Sequence, residues 1–292
     1  MTSESWTIGR LLTWTADYLK THGSDTPRLD AEVLLAAARG CQRIQLYTAF
    51  DELADDRTRQ TFREWVRRRA EGTPVAYLVG YREFYSLRFR VTPEVLIPRP
   101  ETELLVVRLL DLVKERTPGS AAPTIVDVGT GSGIIAVCAT KHLPDARVTA
   151  IDISGDAIEV ARMNAAEHGV AERIEWFTGD LLSTVGDRQF DFIVSNPPYV
   201  SAAEFEKLPK TVRDFEPRAA LLAGDRGTEV IGRLVPQAVD RLAPGGWLLV
   251  EISPMIEPAA AELLRAQSGL SIAPTIKDLA GLPRIIQARR RE

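Results

Sequence analysis

The segment Ser195-Asn196-Pro197-Pro198-Tyr199 combines residue types that can hold a planar amino group. It follows the mostly apolar run 190–194, which is typical of a buried strand in a parallel sheet, so we expect it at a strand's carboxyl end, where open α/β sheets bind ligands. Two consecutive prolines remove two backbone donors and keep Asn196 and Pro197 out of helical backbone. The pattern therefore predicts a stiff site in which the Asn196 carboxamide, the Pro197 carbonyl and the Tyr199 ring lie together.

A glycine-rich turn lies upstream of this motif. A predicted strand runs into Asp127-Val128-Gly129-Thr130-Gly131-Ser132-Gly133, and an apolar helix follows at once. Glycine permits the tight turn and the close backbone approach that nucleotide-binding strand-to-helix turns require. The spacing is G-x-G-x-G, because Ile134 occupies the position of the last glycine in the dinucleotide pattern G-x-G-x-x-G. The turn indicates a nucleotide-like ligand, and a purely structural turn is the alternative.

Two further strand ends carry acidic side chains. The strand after the glycine turn ends at Asp152, whose carboxylate is placed to accept hydrogen bonds from both hydroxyls of a ribose. Capping the next helix is the alternative role for Asp152, but Ser154 is the better cap, so the ligand role is favoured. The following strand ends at Asp180 and Leu181, which we expect to meet an adenine amino group and the adenine ring respectively. An ordinary polar turn is the alternative for this pair.

From residue 124 onward the chain alternates between strand and helix patterns. Strands are predicted at 124–128, 147–151, 173–177, 190–195, 246–251, 270–277 and 284–288. Helices are predicted near 133–142, 155–168, 228–242 and 255–266. Such alternation is typical of a doubly wound, mostly parallel α/β sheet, here with seven strands. The ends of its first four strands then offer a glycine turn, a ribose acceptor, an adenine contact and an amine-binding motif, in that order.

The N-terminal part of the chain has a helical pattern. Residues 5–71 carry helical apolar stripes, and Gly72-Thr73-Pro74 marks their end. Partly alternating apolar residues within 75–95 predict a short β-hairpin that bridges the domains, and a helix is expected to begin near Pro100. The predicted domains are a helical substrate-recognition domain at 1–74, a hairpin and linker at 75–100, and a catalytic α/β domain at 101–292.

Composition and charge exclude several classes of protein. The 292 residues are 45% hydrophobic and 26% charged, as in soluble globular proteins. The net charge of −4 divides into +2 for residues 1–90 and −6 for the remainder, whereas binding to nucleic-acid phosphates usually requires a basic surface. Arginines within 51–70 form either a partner-docking surface or a solvated helix face. Cys41 and Cys138 lie far apart and only three histidines are present, so neither a disulfide nor a metal site is expected.

Targeting signals are also not expected. Residues 1–10 lack a basic segment followed by an apolar one, and no apolar run reaches the length of about eighteen residues that a membrane-spanning helix needs. The sequence therefore favours a cytoplasmic protein without membrane association.

Taken together, the motifs resemble those of class I S-adenosylmethionine-dependent methyltransferases that modify a planar nitrogen. More narrowly, the chain is similar over nearly its whole length to the peptide chain release factor N5-glutamine methyltransferases. The segments that carry this similarity are the helical N-terminal domain, Ile97-Pro98-Arg99-Pro100-Glu101-Thr102-Glu103, Phe215-Glu216-Pro217-Arg218-Ala219-Ala220-Leu221 and Lys277-Asp278-Leu279-Ala280-Gly281. One departure is Ser253, which stands where the family typically has glycine.

The resemblance implies methylation of the side-chain amide nitrogen of the glutamine in the Gly-Gly-Gln motif of class-one release factors. S-adenosylmethionine is the implied donor and S-adenosylhomocysteine the product. Gly129 to Gly133 are implied to line the cofactor site, Asp152 to hold the ribose, and Leu181 to lie beside the adenine. Asn196 to Tyr199, Pro198 included, are implied to receive the glutamine, with Asn196 and Pro197 as the catalytic acceptors and Asn196 also beside the cofactor.

Two alternatives are left open by the residues. Asn-Pro-Pro-Tyr by itself is shared with adenine-N6 methyltransferases that act on RNA or DNA, although the acidic charge favours a protein substrate. A non-catalytic cofactor-binding scaffold is the alternative of another class.

Overall fold

The computed structural model describes residues 6–116 and 121–292. The first half of the 1–10 segment and part of the predicted loop at 117–123 lie outside these described residues. The chain forms two compact units. One comprises the described residues up to Gly80 together with Pro209–Phe215, and the other comprises Tyr81–Leu208 and Glu216–Glu292. The roles and boundaries of the three predicted domains stay predictions.

The elements are numbered in chain order. The helices are α1 (Ile8–Thr21), α2 (Pro27–Arg39), α3 (Arg43–Thr48), α4 (Asp56–Ala70), α5 (Val75–Val79), α6 (Glu103–Lys114), α7 (Ile134–His142), α8 (Gly155–Glu167), α9 (Ala202–Phe205), α10 (Lys210–Arg213), α11 (Arg218–Leu221), α12 (Glu229–Arg241) and α13 (Glu257–Arg265). The strands are β1 (Tyr81–Phe84), β2 (Leu87–Arg90), β3 (Thr124–Val128), β4 (Arg147–Asp152), β5 (Ile174–Thr178), β6 (Phe190–Ser195), β7 (Val200–Ser201), β8 (Leu222–Gly224), β9 (Leu242–Glu251), β10 (Leu270–Lys277) and β11 (Pro283–Arg290).

The first unit is helical, as the apolar stripes predict. Helices α1, α2 and α4 bury one face each in a shared core that includes Leu12, Leu34 and Phe62. Asp30 is buried and accepts a hydrogen bond from the Arg69 guanidinium at 2.7 Å. Arg69 therefore stabilises the unit itself and is not part of a solvated face, because a buried carboxylate is costly without a partner.

An apolar groove of about 420 Å³ opens on the surface of this unit. Trp14 stacks on Tyr18 with ring centroids 5.0 Å apart, and the Trp6 ring meets Trp14 edge to face. Helix α4 lines the same groove with Arg59, Arg63 and Arg67, among others. Folding thus brings aromatic rings beside arginines that are far from them in the sequence.

The segment predicted as a hairpin begins with a helix instead. Residues 75–79 form α5, because Pro74 supplies the N-cap position and Gly80, with φ of 81°, ends the helix in left-handed backbone. The hairpin itself, β1 with β2, is shorter than predicted and turns at Tyr85 and Ser86, both with positive φ. It packs within the second unit, and its bridging role between domains stays a prediction.

Asn164 of α8 fixes the hairpin to the second unit. Its Oδ1 accepts a hydrogen bond from the Arg90 amide at 2.7 Å, and its Nδ2 donates to the Arg90 carbonyl at 3.0 Å. The same Nδ2 donates to the Ser132 carbonyl at 2.8 Å, so one buried side chain joins the hairpin to the glycine turn.

The second unit contains the predicted seven-stranded, mostly parallel sheet. Its strand order is β10-β11-β9-β6-β3-β4-β5, with β11 antiparallel to both of its neighbours and the other pairs parallel. The doubly wound α/β class is thereby confirmed, and each of the seven predicted strands is present. Strand β9 begins at Leu242 rather than 246, because the strand continues through Gly245 and Gly246 with a shift in its register against β6.

Apolar side chains on the two faces of the sheet form separate cores. Ile125 of β3 packs in one core with Leu109 of α6, and Val126 packs in the other with Leu234 of α12. This alternation along a strand is the pattern expected of a sheet covered on both faces. The described residues contain no helix long and apolar enough to cross a membrane.

The topology places the functional crevice between β3 and β6. Strand β3 pairs with β4 on one side and with β6 on the other, so the connections reverse direction at this point. Val128 and Ser195 are register partners at the strand ends, and the Ser195 hydroxyl donates to the Val128 carbonyl at 2.7 Å. Gly129 and Asn196 therefore leave the sheet side by side, at the position where open α/β sheets bind ligands.

Candidate functional site

The glycine turn forms one wall of a cavity of about 450 Å³. Gly129 and Gly131 have φ values of 74° and 55°, and a Cβ added to either would enter open space. Both residues line the cavity together with Thr130 and Ser132. The two glycines thus leave a cradle that side chains would fill, which is the function expected of them from the sequence.

Gly133 has a different environment from the other two glycines. It does not line the cavity, and a Cβ on it would come within 3.0 Å of the Ala161 Cβ on α8. Its φ of 83° marks the N-cap of α7. The structure therefore gives Gly133 a packing role between helix and turn, and its predicted contact with a cofactor stays a prediction.

Asp127 lies beneath the turn and is fully buried. Its Oδ2 accepts hydrogen bonds from the Thr130 hydroxyl at 2.6 Å and from the Ala136 amide at 3.1 Å. Its Oδ1 has no hydrogen-bond partner among the described residues. Burial raises the pKa of this carboxyl to about 7, an effect that its two donors only partly oppose.

Asp152 lines the cavity at the end of β4, as predicted. Its Oδ2 accepts from the Gly131 amide at 2.8 Å and its Oδ1 from the Ser154 amide at 2.9 Å, so the carboxylate also fixes the glycine turn. Burial raises its pKa, against the effect of these backbone donors. Ser154 caps α8 by accepting from the Ala157 amide, which confirms the predicted cap and leaves further lone pairs of Asp152 for a ligand.

The end of β5 contributes Asp180 and Leu181 to the cavity. Leu181 is buried and has a φ of 53°, an unusual conformation for a residue other than glycine. Asp180 is partly exposed and pairs with Arg233 of α12 at 2.6 Å. Arg233 and Ile153 also line the cavity, and the Ile153 side chain is 65% exposed there. The sequence signal for Ile153 was its apolar type directly after Asp152.

Asn196 and Pro198 line the same cavity as the glycine turn. The Asn196 Nδ2 donates a hydrogen bond to the Thr102 hydroxyl oxygen at 3.1 Å. Pro197 is buried, and Tyr199 lies mostly buried near Glu251, where burial first and the Glu251 charge second raise the pKa of its phenol. The structure thus brings Asn196 and Pro198 to the cavity lining, whereas Pro197 and Tyr199 are not among the lining residues.

An ion pair between the buried Glu216 and the partly exposed Arg99 joins two of the segments that carry the resemblance. The Glu216 carboxylate accepts from the Arg99 guanidinium at 2.6 Å and from the Ile97 amide at 3.1 Å. Arg99 of this pair and Pro217, the residue after Glu216, both line the cavity. Sequence reasoning missed the pairing of these residues, which lie in separate motifs, because nothing in a single sequence indicates that they meet.

A short parallel pair of strands follows the Asn-Pro-Pro-Tyr motif. Val200 of β7 pairs with Leu222 of β8, and Leu222 lines the cavity. This pair was missed because both strands are too short to show a period. Pro217, Ala219 and Ala220, which precede β8, line the cavity as well.

Ser253 does not disturb the end of β9. Its φ and ψ are −73° and 142°, which any residue adopts, and its hydroxyl accepts a hydrogen bond from the Met255 amide. A glycine is therefore not required here for its conformational freedom.

The cavity suits S-adenosylmethionine in shape and in charge. Its volume lies within the range of small-molecule sites. Asp127 and Asp152 place two carboxyl groups at or beneath its glycine wall, which favours a cationic ligand carrying a sulfonium and an ammonium group. Leu181 and Ile153 supply apolar surface for an aromatic base. Within the described residues, no group of three or more His, Cys, Asp or Glu side chains is arranged to hold a metal ion.

Family models match both parts of the chain. A model described as the PrmC N-terminal domain matches residues 10–80, and one described as the methyltransferase small domain matches residues 102–215. Among solved structures, the hMettl16 catalytic domain in complex with the MAT2A 3'UTR hairpin 6 is similar, with a TM-score of 0.55 and 17% identity. That similarity covers 78% of this chain and 82% of the other, and at this identity it shows the fold alone.

Curated relatives match over almost the full length. A release factor glutamine methyltransferase of Rhodopirellula baltica is 51% identical over 98% of this chain and 97% of its own. One of Geobacter sulfurreducens is 42% identical over 98% of both chains. The expected family is therefore confirmed, and the chain belongs to the release factor glutamine methyltransferases.

Proposed function

We propose that this chain methylates the side-chain amide nitrogen, N5, of the glutamine in the Gly-Gly-Gln motif of class-one peptide chain release factors. The donor is S-adenosylmethionine and the product S-adenosylhomocysteine. Gly129 and Asn196 directly follow Val128 and Ser195, which are register partners at the ends of β3 and β6, and both line the same cavity. This placement is the observation that carries the proposal. This arrangement supports a methyl donor bound against the glycine turn and a planar nitrogen bound against Asn196.

The residues around Asn196 suit an amide nitrogen. Such a nitrogen is a poor nucleophile, because its lone pair is delocalised into the carbonyl. Asn196 Nδ2 is engaged by Thr102, so its Oδ1 is the atom left to accept a hydrogen bond from a substrate N–H. Pro197 is buried and its side chain is outside the cavity lining, so only its backbone carbonyl is proposed as the second acceptor, since consecutive prolines leave few competing backbone donors nearby.

Two fixed acceptors would do two things for the reaction. They would orient the nitrogen toward the donor, which when bound supplies an electrophilic methyl group. They would also stabilise the positive charge that develops on nitrogen during attack. No nucleophilic side chain is required, and the nitrogen can release its proton after the methyl group has been transferred.

The cofactor-binding roles follow the cavity wall. Gly129 and Gly131, with Thr130 and Ser132, would contact the methionine part of the donor through the backbone. Asp152 would accept from the ribose hydroxyls, and Leu181 with Asp180 would contact the adenine. Asp152 performs its role while it also fixes Gly131, so one side chain would couple the ribose position to the turn.

The helical unit is the candidate docking surface for the release factor. Its groove exposes the Trp14 ring beside the arginines of α4, a combination common at protein interfaces. The intact release factor, rather than a nucleic acid, is therefore the expected partner of this unit.

The proposal is tested by incubating the protein with S-adenosylmethionine and an intact class-one release factor, followed by mapping of methyl groups by mass spectrometry. One methyl group on the glutamine of Gly-Gly-Gln is expected. Asn196→Ala should bind the donor with an affinity near that of wild type and lose turnover by about a hundredfold or more. An unmodified glutamine at saturating donor, or methylation of RNA or DNA in place of protein, would contradict the proposal.

A further inference from the structure

A buried polar cluster, formed by Thr102, Glu251 and Tyr199, lies behind Asn196. Thr102 and Glu251 are 0% and 2% exposed. The Thr102 and Tyr199 hydroxyl groups lie close enough to the Glu251 carboxylate that both lower the pKa of that carboxyl. The Asn196 Nδ2 in turn donates to the Thr102 Oγ1 at 3.1 Å. Thr102 therefore contacts the carboxamide that lines the cavity and also interacts with a buried carboxylate.

The direction of each hydrogen bond in this cluster follows from chemistry. A carboxylate only accepts, so the Thr102 hydroxyl hydrogen points to Glu251. The Thr102 oxygen is then available only as an acceptor, and an acceptor can face the Asn196 NH2 group but not its oxygen. The ionised carboxylate thus fixes which way the Asn196 carboxamide is turned, with Oδ1 directed away from Thr102.

A carboxamide turned the other way would be useless for the proposed reaction. It would present an NH2 group to the substrate N–H, donor against donor. Because the two ends of a carboxamide have the same shape, packing alone distinguishes them poorly, and only hydrogen-bond partners select one orientation. A single hydroxyl at position 102 makes that selection.

We propose that Thr102 and Glu251 are positioning residues that hold the Asn196 carboxamide with its oxygen toward the substrate nitrogen. This inference rests on the proposed function, since it concerns a substrate that donates N–H groups. It also gives a physical role to the Pro98–Glu103 segment: the threonine of this segment supports an amine-binding motif that other methyltransferases share.

The charge of Glu251 is sensitive to its surroundings. Burial raises its pKa to about 7, and the nearby Glu101 adds to this effect. The Thr102 and Tyr199 hydroxyls and the Arg284 charge oppose it. Its Oε2 has no hydrogen-bond partner among the described residues, which is consistent with a carboxyl group that ionises late.

The first test uses nuclear magnetic resonance and needs no turnover. The sequence contains two asparagines, Asn164 and Asn196, so labelling asparagine side-chain nitrogen with ¹⁵N gives two NH2 signals. Asn164 is an internal reference, because its NH2 is fully bonded to the Arg90 and Ser132 carbonyls. In Thr102→Val the Asn196 signals should shift and exchange with solvent at least about tenfold faster, while the Asn164 signals stay in place.

The second test separates positioning from stability by kinetics with the release factor as acceptor. Thr102→Val should lower kcat by about tenfold to a hundredfold, with KM for the release factor and Kd for the donor within about threefold of wild type. Thr102→Ser, which restores the hydroxyl, should recover most of the rate. Glu251→Gln should also lower kcat, because an amide donates as well as accepts and no longer fixes the direction of the Thr102 hydroxyl.

Thr140→Val is the matched control. Thr140 is equally buried, and its hydroxyl donates to the Ala136 carbonyl within α7, away from Asn196. It should retain the wild-type rate and the wild-type Asn196 signals.

The outcomes distinguish the two proposals. If wild type is active and Thr102→Val keeps its rate and its Asn196 signals, or if Thr102→Ser is as slow as Thr102→Val, the positioning inference is overturned. If wild type methylates no release factor while the Asn196 signals still depend on Thr102, the proposed function fails and the positioning contact stands.

Discussion

Glu216 receives the Arg99 guanidinium at 2.6 Å, and this pair joins two loops that border the same cavity. Glu216 is only 5% exposed and accepts a second hydrogen bond from the Ile97 amide. The carboxylate thus satisfies a buried backbone donor and a charged side chain at once. Removing it leaves both without an acceptor.

Glu216→Ala should therefore lower the free energy of unfolding by about 1–3 kcal/mol, since the buried Ile97 amide and the partly exposed Arg99 guanidinium both lose their acceptor. Affinity for the donor should fall as well, because Arg99 lines the cavity. Glu175→Ala, which breaks the exposed pair with Arg188, is the control and should change the unfolding free energy by less than about 1 kcal/mol. Urea denaturation measures both, and equal effects of the two variants would contradict the structural role of Glu216.

The two kinds of glycine in the turn should respond differently to alanine. Gly131→Ala places a methyl group in the open cradle, so the Kd of S-adenosylmethionine should rise at least about tenfold with a loss of stability near 1 kcal/mol from the positive φ. Gly133→Ala should instead lower the free energy of unfolding by about 2–4 kcal/mol. Its methyl group would lie 3.0 Å from the Ala161 Cβ, and its positive φ adds the same backbone strain as at Gly131.

Gly169→Ala isolates the backbone contribution. Gly169 has a φ of 71° with nothing near an added Cβ, and it lies away from the cavity lining. Gly169→Ala should lower the free energy of unfolding by about 1 kcal/mol without changing the Kd of S-adenosylmethionine. Calorimetric titration measures the Kd of the donor for the three variants, and thermal melting measures their stability. If Gly131→Ala binds the donor as tightly as wild type, Gly131 does not line the donor site.

Much of this site could be predicted because its signals are local. The glycine turn, Asp152 and the Asn-Pro-Pro-Tyr motif each follow a strand whose apolar run is continuous in the sequence, and parallel strands bring their carboxyl ends to one edge. The functional residues at the ends of β3, β4, β5 and β6 can therefore be predicted in their order along the sequence.

What could not be predicted depends on contacts between distant segments. Thr102 and Glu251 look like a helix start and a strand end in the sequence, and only the fold brings their side chains together behind Asn196. The short helix α5 was missed for another reason. Its valines and tyrosine favour a strand locally, but Pro74 and Gly80 at its two ends decide the conformation.

Glu251 should give the unfolding free energy an unusual dependence on pH. Its pKa is raised from 4.5 to about 7 on folding, so the folded protein binds more protons than the unfolded chain between these values. The stabilisation from this group is therefore complete below about pH 4.5 and is lost as pH rises through about 7. Glu251→Gln has no titrating carboxyl at this position and cannot lose this stabilisation. Relative to wild type, its free energy of unfolding should therefore increase by at most about 3 kcal/mol between pH 5 and pH 8.

Denaturation of both proteins over this pH range measures the difference. Thr140→Val, which changes no titratable group, should give a curve parallel to that of wild type. A constant difference between Glu251→Gln and wild type from pH 5 to pH 8 would show that the carboxyl does not titrate there. The same ionisation should appear in the kcat of wild type, which we expect to rise with pH through about 7, because the ionised carboxylate orients Thr102.

The groove on the helical unit gives a prediction about substrate size. Trp14 is 50% exposed and stacks on Tyr18 within the groove, so its ring offers a rigid apolar anchor to a docked protein. Trp14→Ala should raise KM for an intact release factor by about tenfold and leave the Kd of the donor unchanged. A short Gly-Gly-Gln peptide, which has no folded surface to dock on the groove, should be methylated by the variant and by wild type at equal rates.

Ile44→Ala is the matched control for Trp14→Ala, because Ile44 is 67% exposed in the same unit but does not line the groove. It should retain the wild-type KM for the intact release factor. Steady-state kinetics on the two acceptors check the prediction. Equal losses on peptide and intact protein would place the effect of Trp14 on folding rather than docking, because only a docking residue discriminates between the two acceptors.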